Sequence, residues 1–150
     1  MKAVLRTDGG SRGNPGPAGC GFVLETLEGT PISSGGRFLG SVTNNVAEYE
    51  ALLWGLEVAA AKGVSHLTVL ADSELLVRQI NGVYKVKHPN MKPLYARACE
   101  LMRPFIRVEV RHVRREENTV ADRLANEAMD ARDLVGDAPA PGESGQSTLF

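Results

Sequence analysis

A chain of 150 residues with 43% hydrophobic content is long enough for one domain with a real core and too short for two comfortable ones. Seventeen basic and eighteen acidic groups leave a formal net charge of −1, and two cysteines, Cys20 and Cys99, lack the spacing of a disulfide framework or a zinc site, so both are expected to be reduced thiols. No segment approaches membrane-spanning length and the start runs straight into a strand pattern, which leads us to expect a cytoplasmic monomer with no membrane partner.

The first third reads as strands. KAVLRTD alternates, GCGFVLET follows a Gly/Pro turn, and PISSGGRFLG follows Glu28-Gly29, which predicts an antiparallel meander. The period then changes: Tyr49, Leu52, Leu53, Leu56, Ala59 and Ala60 recur at helical spacing over Asn44 to Ala61, and Lys62-Gly63 supplies the stop. HLTVLAD reads as a short strand buried on both faces, and SELLVRQIN as a helix that Ser73 caps. A third helix is expected over Met91 to Arg103, then a strand RVEVRHV and a helix TVADRLANEAMDA, in the order βββαβαα(β)α. Residues 1–132 are expected to form the folded domain and 133–150, rich in Pro, Gly and Ala, a flexible tail outside the core.

The small net charge hides a segregation. Residues 78 to 115 carry ten basic groups against Glu100 and Glu109, while the flanking stretches are acidic. A local positive block suits a phosphate-backbone binder, although charge runs are more often solvated faces.

Four carboxylates stand in distinct contexts: Asp8 in RTDGGSRGNPGPAG, Glu48 in TNNVAEYEALLWGL, Asp72 in LTVLADSELLV and Asp122 in RREENTVADRLANEAM. Four acids brought to one point repel, and a pair of divalent cations is the usual reason a protein tolerates them. Each has an ordinary alternative: a turn aspartate, an exposed helix glutamate, a helix cap and a boundary helix aspartate. The glycine-rich stretch after Asp8 is a poor phosphate cradle, because Pro15 and Pro17 prevent the helix such a loop must open.

Together, in this order, the blocks TDGGSRGNPGPAG, TNNVAEYEALLWGL, ADSELLV and REENTVADRLANEAM resemble the type 1 ribonucleases H, and the resemblance runs from Met1 to about Ala131. It implies an α/β, ribonuclease H-like fold with a mixed five-stranded sheet, three antiparallel and two parallel strands, packed by helices. It implies hydrolysis of the RNA strand of an RNA/DNA hybrid, leaving 3′-hydroxyl and 5′-phosphate ends, with Asp8, Glu48, Asp72 and Asp122 around two magnesium ions, manganese being a possible replacement. Asp8 would bridge the ions, Glu48 and Asp72 would each ligate on one side, and Asp122 would serve the nucleophile side. By the same resemblance Asn14, Asn44 and Asn45, with backbone near Gly10 and Ser11, sense ribose 2′-hydroxyls, and Thr43 grips a phosphate of the DNA strand. Turn and helix-cap roles are the plain alternatives for these residues. A catalytically idle hybrid-binding module, or another nuclease of the superfamily such as a resolvase, are the competing functions. The intact set of four acids argues against the first, and the TNN and GNPG blocks against the second.

Three departures from the family pattern stand out. Ser41 replaces the usual arginine two places before the threonine, and NGVYKVKHPNMKPLYARACE passes almost directly into the next helix, without the inserted basic handle of several members. The loop histidine expected before the last aspartate has no clear counterpart. His112 lies in a strand pattern and RREEN is too short for that loop, which leaves Arg115 beside the site in its place. Finally, Gln146-Ser147-Thr148-Leu149-Phe150 resembles the Gln-x-x-Leu-Phe peptides by which bacterial replication and repair proteins dock on the sliding clamp, so Gln146, Leu149 and Phe150 are candidate clamp contacts.

Overall fold

A computed structural model describes residues 1–142. β1 (Lys2–Ser11), β2 (Gly16–Thr26) and β3 (Pro31–Val42) form the expected antiparallel meander. α1 (Asn44–Ala61) follows, capped by Thr43, whose Oγ1 accepts from the Val46 backbone N–H at 3.3 Å. Next come β4 (His66–Ala71), α2 (Glu74–Ile80) capped by Ser73, α3 (Lys92–Met102), β5 (Arg107–His112), a short 3-10 turn at Arg115–Glu117, α4 (Thr119–Ala131) and β6 (Leu134–Gly136). Among the described residues, those between α2 and α3 form turns and irregular chain.

The sheet order is β5-β4-β1-β2-β3-β6, with β1/β4 and β4/β5 parallel and the other pairs antiparallel. α1 packs on one face and is itself covered by α3, which is why Tyr49, Leu52, Trp54, Leu56 and Val58 are all buried. α4 covers β1, β2, β3 and β6 on the other face. It leaves β4 half covered, so His66, Thr68 and Leu70 remain partly exposed where burial on both faces was expected.

Two expectations need correction. The sheet has six strands rather than five, and the sixth comes from the stretch read as a flexible tail. Leu134, Val135 and Gly136 pair with Arg37, Gly36 and Gly35. Asp137 Oδ1 then accepts from the Ser33 hydroxyl and the Ser34 backbone N–H, both at 2.9 Å, and Trp54 Nε1 donates to the Pro139 carbonyl at 2.8 Å. The Gly142 backbone N–H reaches Glu57 Oε1 at 2.7 Å. This strap is held largely by hydrogen bonds, through main-chain groups, the Asp137 and Glu57 carboxylates, the Ser33 hydroxyl and one indole, and such contacts need no hydrophobic period to announce them. The remainder of the expected tail, including the clamp-like peptide, lies outside the described residues.

Candidate active site

The four acids come from four elements that the packing brings to one end of the sheet. Asp8 is near the end of β1, Glu48 in the first turns of α1, Asp72 directly after β4, and Asp122 in the first turn of α4. Two glycines allow the convergence. A Cβ on Gly9 would collide with the Ala47 carbonyl and the Glu48 nitrogen, so only glycine lets α1 settle against β1 there. Gly21, the β2 register partner of Asp8, is closed on the other side by the Ala121 carbonyl of α4.

Asp8, Glu48 and Asp72 each offer a carboxylate oxygen within 4.8 Å of the others. Asp122 stands beside this trio, close enough to act on Asp8 both by charge and by hydrogen bonding. All four line a cavity of about 470 Å³, together with Gly10, Ser11, Arg12, Asn44, Asn45 and Arg115 among others. Burial, then the Asp72 and Asp122 charges, push the Asp8 carboxyl up to about 8. Burial and the Asp8 and Asp72 charges hold Glu48 well above the usual carboxylate range, against the pull of Arg115. Burial raises Asp72 as well, opposed by a hydrogen bond to Asp8 and by Arg115.

Glu48 Oε2 is buried without a hydrogen-bond partner. A buried, unpartnered carboxylate oxygen beside two further carboxylates is a costly arrangement that a divalent cation relieves, and the donor set is entirely hard oxygen. The residues present therefore fit such an ion.

The expected substrate residues divide. Gly10, Ser11, Asn44 and Asn45 face the cavity, whereas Asn14 and Thr43 do not line it. Thr43 caps α1, and Asn14 Oδ1 accepts from the Asn44 backbone N–H at 3.1 Å. Asn44 Oδ1 in turn accepts from the Ser11 backbone N–H at 2.7 Å, so the β1–β2 loop is laced to the start of α1. Arg115 enters the cavity from the 3-10 turn. His112 ends β5, with Nε2 3.3 Å from the Asp72 backbone oxygen.

Asn118 was not singled out from the sequence. It is fully buried, and its Nδ2 donates to the Thr7 backbone oxygen at 2.7 Å. It thereby pins the start of α4, and with it Asp122, to the residue next to Asp8. An asparagine before a helix ordinarily suggests a cap, and that reading conceals the longer reach, since Asn118 makes no side-chain capping bond.

The chain is similar to several known proteins. Residues 6–128 match a family described as "Reverse transcriptase-like". The bifunctional protein Rv2228c of Mycobacterium tuberculosis is 49% identical over 132 residues, which is 87% of this chain and 36% of that protein, so the chain spans about a third of such relatives. A ribonuclease H of Syntrophus aciditrophicus is 34% identical, the match covering 93% of this chain and 87% of that one. Among solved structures, LC11-RNase H1 in complex with an RNA/DNA hybrid superposes with a TM-score of 0.83 at 41% identity, over 87% of this chain and 98% of that one.

Proposed function

The chain belongs to the ribonuclease H family, type 1 branch, and on that premise we propose that it is an endoribonuclease that hydrolyses the RNA strand of RNA/DNA hybrids, leaving 3′-hydroxyl and 5′-phosphate ends. The observation that carries this reading is the meeting of Asp8, Glu48 and Asp72, with Asp122 beside them, in one cavity. A pair of magnesium ions, replaceable by manganese, suits these oxygen donors and would supply Lewis acidity and charge neutralisation at the attacking and leaving oxygens. Asp8 would hold both ions, Glu48 and Asp72 one each, and Asp122 the one on the side of the attacking water.

The rest of the chemistry falls to the chain's own groups. Ser11 and Asn44, already tied to one another, and Asn45 present amide and hydroxyl groups that suit the ribose 2′-hydroxyl, the group that separates RNA from DNA. Asn14 supports that edge by holding Asn44. Thr43, at the head of α1, is assigned to a phosphate of the DNA strand, beside the helix N-terminus. Arg115, whose charge acts on Glu48 and Asp72, is assigned to orienting the attacking water or assisting product departure. Arg115→Ala is expected to lower turnover more than His112→Ala does; a large turnover loss in His112→Ala at unchanged thermal midpoint overturns that assignment.

The test of the main reading is a labelled hybrid, duplex RNA and duplex DNA incubated with magnesium, manganese or chelator. Only the hybrid should be cut, and only with metal, while Asp72→Asn should abolish turnover and bind hybrid at least as well, since an acid also repels phosphate. Cleavage by Asp72→Asn near the wild-type rate would exclude this site.

We further propose that the protein acts in the cytoplasm as a monomer, in keeping with free thiols at Cys20 and Cys99, and that Gln146, Leu149 and Phe150 dock on a bacterial sliding clamp. Tethering of this kind raises the local concentration of nuclease near replication sites without altering the active site.

A further inference from the structure

The cavity carries two arginines besides its acids, and they are not equivalent. Arg115 is engaged with the acids, since its charge pulls down both Glu48 and Asp72. Arg12 lines the same cavity but is not among the principal charges acting on Asp8, Glu48 or Asp72. Its side chain is 48% exposed. It leaves the β1–β2 loop and lies along α4, with Nη1 2.8 Å from Asp130 Oδ1 and Nη2 donating to Asn126 Oδ1 at 3.3 Å. Asn126 Nδ2 donates in turn to the Asp122 backbone oxygen at 3.0 Å. Asp122, Asn126 and Asp130 recur every fourth residue and form one line on the helix, so Arg12 sits roughly 6–12 Å along α4 from the reacting acid.

The loop does not require the Arg12 side chain for its shape. The Ser11 backbone N–H is already held by Asn44, the Asn44 backbone N–H by Asn14, and the Arg12 backbone N–H by the Pro17 carbonyl at 2.8 Å. The ion pair with Asp130, whose side chain is 69% exposed, is screened and weak. A guanidinium so placed exchanges one carboxylate for a phosphate at little cost and keeps its paired hydrogen bonds.

We propose that Arg12 binds the phosphodiester backbone beside the cleaved position, and that Asp130 is its resident counter-ion, displaced when nucleic acid arrives. This rests on the hybrid-cleaving reading. It gives the acidic cavity a cation that contributes affinity without weakening the acids, and it makes Arg12 a binding residue rather than a catalytic one.

The experiment measures hybrid binding by fluorescence anisotropy in chelator over a series of salt concentrations, together with kcat and KM in magnesium. Arg12→Ala is expected to weaken binding roughly tenfold and to reduce the salt slope by about one, with kcat kept within about twofold. Arg12→Lys should recover part of the affinity, and Asp130→Asn should bind as well as wild type or better. If Arg12→Ala binds normally, or if Asp130→Asn loses as much as Arg12→Ala, Arg12 merely fastens the loop to α4 and the proposal is wrong. Failure of the wild type to bind or cut hybrid overturns the functional reading itself, whereas a competent wild type with an indifferent Arg12→Ala overturns only this inference.

Discussion

Asp8 retains 5% of its surface and faces other carboxyls, so without metal it holds a proton at neutral pH. Its folded value of about 8 lies above the ordinary carboxylate value, to which it returns on unfolding. Between roughly pH 4 and pH 8 the folded state therefore binds a proton that the unfolded state has released, and stability falls as pH rises through that window. Thermal midpoints taken in chelator at pH 5 and pH 8 should show that decline, and it should be shallower in Asp8→Asn, at roughly 2–4 °C for each kcal/mol. Magnesium should raise the wild-type midpoint at pH 8 more than that of Asp8→Asn. Identical pH slopes in the two proteins would show that this burial stores no such cost.

At the scale of elements, the site depends on how α1 and α4 meet β1. The close approach at Gly9 fixes α1, while α4, packed through its apolar face and close to Gly21, is tied at its start by one buried amide, Asn118, reaching the Thr7 backbone. Asn118→Ala is expected to cost about 1–3 kcal/mol in urea unfolding, because a buried acceptor loses its partner. Turnover should fall further than KM rises, since Asp122 is carried on the helix that comes loose. Full stability with full turnover would mean that α4 is held by its apolar face alone. Helices and strands were largely legible beforehand, because period is a local property: Asn44–Ala61 was recovered to the residue and α3 to within one at each end. The four acids were legible as strings with recognisable flanks. The Asn118 bond was not, as it joins residues 111 apart through a backbone atom that has no letter of its own.

Across the whole molecule, the strap over residues 134–142 closes the far side of β3 and seals Trp54, the single tryptophan, which stands edge-on to Phe22 with ring centroids 4.9 Å apart. Ending the chain after Arg132 should red-shift tryptophan emission and lower the thermal midpoint by several degrees. Ending it after Gly142 should change neither, while removing any clamp binding and sparing hybrid cleavage. A midpoint unaffected by the first truncation would return the strap to the status of a passive tail. Composition concealed this element, because Val-Gly-Asp-Ala-Pro-Ala-Pro-Gly has the texture of a linker and docks through carbonyls and amides.

The bond from Gly142 to Glu57 fixes the last of the described residues against α1. Glu57 is nine residues along α1 from Glu48 and thirteen from Asn44, both of which line the cavity, so this anchor lies about 14–20 Å along the helix from the site. A fluorophore, an affinity handle or a solid support joined after residue 142 is therefore rooted away from the cavity, and the protein can be immobilised from that point with the cavity left accessible.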